Sequence, residues 1–418
     1  MKISLIQPSR NNLKYLKWSY DSIRKNQGKH VVEICVADDA STDGTWNWCL
    51  EMMKKDDHFK AIKNNGPIRL GHTILYDRLV NKVASHDVCM IYHADMYLMP
   101  GAIDQIEHKL RDKTIVSLTR IEPPLHPPGP EKMLMDFGIE PEEFKEQELL
   151  DWFKDIQLQQ LTKITEGIFA PWAFYKKDFQ EIGGHDPLFA PQSKEDTDIF
   201  NRFQLNGIKF IQTWGGCVYH MTCRGSRFAD GAKRNPDGQV FMKNRETDEW
   251  LKQNERSTRN FIRKWGHFCK HDKFMNPIIP PKYNIGIVLR NGRLNHIETL
   301  EPWCNTIYHE KDVPGIDTPK MYANREQRKT AYIMDQRVKC LEDMTPDNDI
   351  IIEIDGNNFT QNDYQYIQNF AEIISNDKDL QDEVIHYSDS PEFELGTMKI
   401  TINSLKTYEK ELILCKGQ

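Results

Sequence analysis

A doubly wound α/β sheet is the fold class that the N-terminal part of the sequence predicts. Three short apolar runs, typical of buried parallel strands, alternate with stretches of helical spacing. The predicted elements are a strand at Lys2–Pro8, a helix at Leu13–Lys25, a strand at Val31–Ala37, a helix from Thr45 and a strand at Val88–Tyr92. The second and third strands run directly into acidic clusters. Because such sheets bind ligands at the carboxyl ends of their strands, we expect both clusters to face one crevice.

The length of 418 residues predicts two domains. We place the first at residues 1–275 and the second at 283–418, on either side of a proline-rich linker at Ile278–Pro281. The second is expected to be a smaller α/β domain. Its predicted elements include a strand at Asn284–Leu289, a helix near Asn324–Leu341 and a strand at Asp349–Ile354.

The composition is that of a soluble globular protein. Hydrophobic residues make up 39% of the chain and charged residues 28%, which excludes the disordered and fibrous classes. The N-terminus lacks the apolar run of a signal peptide, and no stretch approaches the ~18 apolar residues of a membrane span. We therefore predict a cytoplasmic protein. The nine scattered cysteines contain no CxxC pair, which predicts free thiols and no zinc site.

The turn after the second strand reads Asp-Asp-Ala-Ser-Thr-Asp-Gly-Thr over residues 38–45. Carboxylates at a strand end can accept hydrogen bonds from a nucleobase or from ribose hydroxyls, and the glycine lets the backbone turn sharply. The same string is also a good helix cap, because Asp and Ser both favour that position. Its place beside a second acidic strand end favours the binding role.

Two further segments carry residues suited to metal binding and proton transfer. His93 and Asp95 end the third strand, and a carboxylate with a nearby imidazole suits Mn²⁺ better than Mg²⁺. A late histidine, His220, ends another apolar run and becomes a candidate ligand if it lies beside Asp95. Glu195 and Asp196 begin a predicted helix. Either carboxylate can act as a general base, or the pair can simply stabilise the helix by interacting with its dipole.

Taken together, these segments resemble the family 2 glycosyltransferases, which have the GT-A fold, over residues ~1–270. The resemblance lies in the order of VADDASTDGT, IYHADMYLMPG, GGHDPLF, KEDTDIFNR and the late His220. It implies transfer of a sugar from a nucleoside-diphosphate sugar, with UDP favoured, to an acceptor hydroxyl. Inversion at the anomeric carbon and dependence on Mn²⁺ or Mg²⁺ are expected.

The resemblance also implies roles for individual residues. Asp196 matches the base of the family's ED pair, with Glu195 as the alternative. Asp95 matches the last aspartate of the DxD metal motif and His220 the late metal-binding histidine, while His93 departs from the motif's first aspartate and leaves the metal's identity open. The expected nucleotide-binding residues are Pro8, Asp38, Asp39, Asp43, Arg224 and Arg227.

The acceptor and the role of the second domain stay open. A saccharide or lipid-linked glycan is favoured, as for most members of the family. The basic stretch at 224–273, with 13 Lys and Arg against 7 Asp and Glu, also permits a phage-type enzyme that glycosylates a hydroxylated nucleic-acid base in the host cytoplasm. A non-catalytic nucleotide-sugar-binding protein is the third alternative. The second domain is expected to serve acceptor recognition or assembly, and the oligomeric state is not predicted.

Overall fold

The computed structural model describes residues 1–222, 224, 231–243, 246–311, 319–378 and 391–414. The chain divides into two compact units. The first unit comprises residues 1–254, 271–278 and 414–418, and the second comprises 255–270 and 279–413. The predicted domain limits, 1–275 and 283–418, stay a prediction.

The first unit alternates strands and helices from its N-terminus. Its elements are β1 (Lys2–Ser9), α1 (Leu13–Asn26), β2 (Val31–Asp39), α2 (Thr45–Lys55), β3 (Phe59–Asn64), α3 (Gly71–Lys82), β4 (Val88–Ile91), β5 (Met96–Leu98), α4 (Ala102–Lys109), β6 (Thr114–Glu122), β7 (Lys132–Leu134), α5 (Glu146–Gln160), β8 (Ile164–Thr165), β9 (Trp172–Tyr175), α6 (Lys176–Glu181), α7 (Glu195–Leu205), β10 (Lys209–His220), β11 (Lys233–Arg234) and β12 (Val240–Phe241). Helix α8 (Asp248–Trp265) follows.

A ten-stranded mixed sheet forms the centre of this unit. Eight strands follow the order β3-β2-β1-β4-β9-β6-β10-β5, and β7 and β8 pair with β6 and β10 beside this path. Strands β1 to β4 pair in parallel, whereas β9 and β5 run antiparallel to their neighbours. β1 and β2 are buried almost throughout, as expected of parallel strands covered on both faces. The chain reverses its direction of winding next to β1, so the carboxyl ends of β1, β2 and β4 border a crevice.

Strand β10 contains an irregularity that sets the position of its last residues. Its register against β6 shifts between Thr213 and Cys217. A side chain on Gly215 would come within 2.8 Å of the Leu161 backbone, so this close approach requires glycine. Beyond the shift, β10 pairs with β5, and His220 comes to lie opposite Met96. The bulge therefore brings the end of β10 to the chain segment that follows β4.

The second unit is built on a six-stranded sheet in the order β15-β14-β13-β16-β18-β17. Its elements are β13 (Ile285–Arg290), α9 (Leu294–Leu300), β14 (Thr306–His309), α10 (Pro319–Gln327), α11 (Met334–Arg337), β15 (Val338–Cys340), β16 (Ile350–Asp355), α12 (Gln361–Gln368), α13 (Phe370–Asn376), β17 (Glu392–Leu395) and β18 (Met398–Ile402).

The α/β class predicted for both parts of the chain is confirmed. One element of the second unit was predicted wrongly, because the helix expected near Asn324–Leu341 is divided into α10, α11 and strand β15. Among the described residues, no helix combines the length and the apolar character that a membrane crossing requires.

Candidate active site

Three side chains with metal-binding chemistry converge at the carboxyl ends of the central strands. His93 and Asp95 lie between β4 and β5, and His220 is the last residue of β10. One ligand atom from each lies within 4.8 Å of the others. The His220 Nε2 atom is 3.4 Å from Asp95 Oδ1, and the two imidazole rings are 5.5 Å apart. The sequence-predicted metal residues are therefore neighbours in space.

The charges of this cluster are strongly coupled. Burial alone would raise the pKa of Asp95, but the neighbouring His220 lowers it to about 2. Burial alone would lower the pKa of His220, but Asp95 and then Glu122 raise it to about 9. Burial and the charge of His220 lower the pKa of His93 to about 3, which leaves that imidazole neutral. The protonation of each group in this cluster thus depends on its neighbours as well as on burial.

Residues outside the sequence prediction complete this cluster. Glu122, the last residue of β6, places its Oε1 atom 2.8 Å from His220 Nδ1. Burial alone would raise its pKa, but Arg120 and His220 lower it, so it is a carboxylate. The signal that marks it is a third strand ending in an acidic residue at the same edge of the sheet. Glu122 was not predicted as a site residue because no strand was predicted at the position of β6.

The acidic pair Glu195–Asp196 opens helix α7. Two consecutive residues with left-handed backbone conformation, Ser193 (φ 81°) and Lys194 (φ 72°), present the pair at the helix start. Glu195 is buried, its Oε2 atom has no hydrogen-bond partner among the described residues, and burial together with the Asp196 charge raises its pKa. Such uncompensated groups are typical of functional sites.

Asp196 differs from Glu195 because solvent reaches its side chain. Desolvation by the surrounding protein nevertheless raises its pKa, against the opposing charges of His185 and Arg120. A carboxylate that is both accessible and more basic than usual can accept a proton from a bound hydroxyl group.

The turn that follows β2 is held by its own aspartates. Asp39 Oδ1 accepts hydrogen bonds from Asn64 Nδ2 (2.7 Å) and the Leu70 N–H (3.0 Å), and its Oδ2 accepts from the Gly71 N–H at the start of α3 (2.9 Å). Asp38 is fully buried; its Oδ1 accepts from the Ser41 N–H, while its Oδ2 has no partner among the described residues.

Asp43 is exposed, and its carboxylate accepts hydrogen bonds from the first residues of two helices. Its Oδ2 accepts from the Leu13 N–H of α1 at 2.9 Å, and its Oδ1 accepts from the Thr45 hydroxyl at 2.6 Å. Burial alone would raise its pKa, but these hydrogen bonds lower it. Asp43 therefore accepts hydrogen bonds from the first residue of each helix, although the N-cap residues themselves are Asn12 and Gly44.

His72 responds to charges both in the turn after β2 and in the cluster of His93, Asp95 and His220. Burial and the charge of Arg69 lower the pKa of His72 to about 4, and His72 also responds to Asp39, His185 and Asp95. Interactions between solvated charges fade over about 10 Å at ordinary ionic strength. Asp39 at the end of β2 and Asp95 just after β4 thus both influence His72, and β2 and β4 both pair in parallel with β1. Arg69 adds a cationic side chain there, with its Nε 3.9 Å from Asp39 Oδ2.

A buried Asp–His pair lies close to the acidic residues. His185 Nδ1 is 2.8 Å from Asp77 Oδ1, and the His185 ring stacks on Tyr76. The His185 Nε2 atom has no hydrogen-bond partner among the described residues. His185 influences the pKa of Asp196, so this pair belongs to the same neighbourhood.

The remaining predicted nucleotide-binding residues are placed as follows. Pro8 lies in β1, opposite Ala37 of β2, and is buried. The Arg224 guanidinium hydrogen-bonds to the Ile139 carbonyl and lies 3.4 Å from Glu140 Oε1, so it is already engaged by protein groups. Arg227 falls outside the described residues.

Residues 4–183 match the model of the family described as Glycosyl transferase family 2. The resemblance noted in the sequence is thus confirmed over these residues, and the mixed α/β sheet agrees with the GT-A fold expected for them. No curated protein matches the chain.

Solved structures show distant similarity to the chain. GalNAc-T7 with UDP, GalNAc and Mn²⁺ is 15% identical, with a TM-score of 0.40, and the match covers 52% of this chain and 43% of that chain. The mannosyltransferase PcManGT from Pyrobaculum calidifontis, in complex with GDP-Man and Mn²⁺, is 15% identical (TM-score 0.38; 53% and 58%). S. aureus TarS 1-349 with UDP is 14% identical (TM-score 0.38; 52% and 60%). The matches thus span between 43% and 60% of these chains.

Proposed function

We propose that this chain is a metal-dependent, inverting glycosyltransferase that moves a sugar from a nucleoside-diphosphate sugar, with UDP favoured, to an acceptor hydroxyl. One observation carries the proposal: in a chain whose residues 4–183 match the family 2 glycosyltransferase model, His93, Asp95 and His220 converge at the carboxyl ends of the sheet. The acidic pair that begins α7 lies close enough to be electrostatically coupled to the same crevice.

The cluster fits a divalent cation, with Mn²⁺ preferred because two of its three side chains are imidazoles. Asp95 supplies a carboxylate oxygen, and His93 and His220 supply ring nitrogens. Asp95 and His220 are buried but still reached by solvent, with 13% and 10% of their side chains exposed. When bound, the cation supplies Lewis-acid stabilisation of the leaving diphosphate.

Asp196 is the proposed base. Its carboxylate accepts the proton of the acceptor hydroxyl while that oxygen bonds to the anomeric carbon and the bond to the diphosphate breaks. Its raised pKa makes it a better proton acceptor than an ordinary aspartate. Glu195 is the alternative, but its burial favours the protonated form, in which it cannot act as a base.

The nucleoside is proposed to bind along the turn after β2. Asp39 and Asp38 lie at this edge, and Asp43 and Pro8 shape the turn and the end of β1. Arg69 adds a cationic side chain there and His72 adds an imidazole whose pKa is lowered; neither was predicted from the sequence. Arg224 and Arg227 remain predicted contacts of the diphosphate. Arg224 would have to exchange its contact with Glu140 for a phosphate oxygen.

A saccharide or lipid-linked glycan is the favoured acceptor, and the second domain is proposed to recognise it or to mediate assembly. A hydroxylated nucleic-acid base is the alternative, for which binding should weaken steeply as salt increases. A non-catalytic nucleotide-sugar-binding protein is the third candidate.

The test is a donor screen with the full chain. UDP-, GDP-, CDP- and dTDP-sugars are incubated with and without Mn²⁺, and release of free sugar is followed by NMR. We expect one nucleotide class to be hydrolysed, and only with metal. Asp95→Asn should abolish this hydrolysis, whereas the exposed Asp151→Asn should not change it. Donor binding without hydrolysis, and without transfer to any acceptor, would favour the non-catalytic candidate; no donor binding at all would refute the proposal.

A further inference from the structure

We infer that Glu122 is a positioning residue that fixes the ring of His220 for metal binding. The inference rests on the proposed function, because it concerns the same metal site. Glu122 ends β6 and His220 ends β10, and these strands pair in parallel beyond the bulge, with Tyr219 opposite Ile121. The strand register therefore brings the two side chains together.

The contacts of His220 determine which nitrogen is available. Its Nδ1 atom is 2.8 Å from Glu122 Oε1, and its Nε2 atom is 3.4 Å from Asp95 Oδ1. An ionised carboxylate can only accept a hydrogen bond, so Nδ1 must carry the hydrogen. In the neutral imidazole, the lone pair is then on Nε2, the nitrogen that faces the cluster. A carboxylate behind a metal-binding histidine is a frequent means of fixing this tautomer.

Glu122 is itself held firmly in place. Its side chain is only 2% exposed. Arg120 Nε lies 3.1 Å from Oε1, and Lys132 Nζ lies 3.3 Å from Oε2. The two cations stabilise the carboxylate and restrict its rotation, so the oxygen that meets His220 has a defined position.

The neighbouring Glu131 provides a matched control. It contacts the same two cations, with its Oε1 atom 3.1 Å from Arg120 Nη2 and 3.3 Å from Lys132 Nζ. No contact between Glu131 and His220 is found among the described residues. Glu131→Gln therefore removes the same charge from the same ion network without touching the imidazole.

The experiment measures Mn²⁺ binding to the full chain by isothermal titration calorimetry, without donor. Glu122→Gln should weaken Mn²⁺ affinity by about 10- to 100-fold, the usual effect of losing such an outer partner. Glu131→Gln should bind as the wild type does. Glu122→Asp keeps the charge but shortens the side chain, so it should also weaken binding; it replaces Glu122→Gln if that variant does not fold.

The outcomes separate this inference from the proposed function. Normal Mn²⁺ binding by both Glu122 variants would refute the positioning role while leaving the metal site intact. Equal weakening by Glu122→Gln and Glu131→Gln would also refute it, because charge alone would then explain the loss. If the wild-type chain binds no Mn²⁺, the metal-dependent function fails together with the inference. A second readout is the nitrogen coupling in the EPR spectrum of bound Mn²⁺, which should change in Glu122→Gln and not in Glu131→Gln.

Discussion

Glu195 in the first unit and Glu301 in the second are both buried carboxylates, yet their pKa values shift in opposite directions. Burial and the Asp196 charge raise the pKa of Glu195. Burial would also raise that of Glu301, but Arg337 and Arg263 lower it to about 2. The difference lies in the partners that each carboxylate has.

Glu301 belongs to a compensated ion network within the second unit. Its Oε2 is 2.6 Å from Arg263 Nη2, and its Oε1 is 2.6 Å from Arg337 Nε. Tyr322 donates a further hydrogen bond to Glu301 at 2.9 Å. Glu195 has no ion-pair partner among the described residues, and one of its oxygens has no hydrogen bond there. Removing one partner from a paired buried charge is costly because the others are left uncompensated, whereas a buried carboxyl group without a partner is retained at a cost that function can explain.

The largest effect is expected from the acidic pair itself. Asp196→Asn should lower kcat by about 10²- to 10⁴-fold, the range for loss of a general base. Donor affinity, measured by calorimetry, should stay within a few-fold of the wild-type value, since the amide keeps the shape of the side chain. Asp155→Asn, on the exposed side of α5, is the control and should have normal kcat. A normal kcat in Asp196→Asn would show that the base is Glu195 or another residue.

The next effect concerns stability in the second unit. Glu301→Gln leaves Arg263 and Arg337 buried without their carboxylate and should lower the free energy of unfolding by about 3–5 kcal/mol. Urea unfolding followed by circular dichroism measures this change. Glu298→Gln removes the half-exposed partner of Arg325 and should cost less than about 1 kcal/mol. Similar losses in the two variants would contradict the distinction between paired networks and surface pairs.

Much of the candidate site was predictable because local patterns encode it. β1 and β2 are apolar runs, and α7 begins at Glu195 as the sequence predicts. The strand ends carry acidic residues, and parallel strands end at a common edge, so the placement of Asp39 and Asp95 at one edge of the sheet followed from topology.

Other parts depend on contacts that sequence patterns do not reveal. The Glu122–His220 pair requires the register of β6 and β10, and a bulge at Trp214–Gly216 sets that register. In the second unit, the continuous helix predicted near Asn324–Leu341 is interrupted, because Arg337 is drawn to Glu301 and the following residues pair with β14. Long-range ion pairs and strand pairing override local helical spacing there.

A third, smaller effect tests the raised pKa of Glu195. A group whose pKa is raised on folding stabilises the protein while it is protonated, and that contribution is lost as pH rises through the folded-state pKa. Glu195→Gln cannot ionise, so it should become more stable than the wild type at alkaline pH, by about 1–3 kcal/mol. Urea unfolding at pH 6 and pH 9 measures the difference. Equal differences at the two pH values would show that the surroundings of Glu195 do not raise its pKa.

The smallest effect is expected at Asp43, whose carboxylate is exposed, in contrast to the buried carboxyl groups of Glu195 and Glu301. Its Oδ2 accepts from the first N–H of α1, so Asp43→Ala should lower the free energy of unfolding by about 1 kcal/mol, as loss of a helix cap does. Asp43→Asn retains an acceptor oxygen and should cost less. Calorimetric titration with UDP decides whether Asp43 also binds the nucleotide: equal affinity in both variants and the wild type would restrict it to capping, whereas weaker binding in both would show that one carboxylate serves the turn and the ligand together.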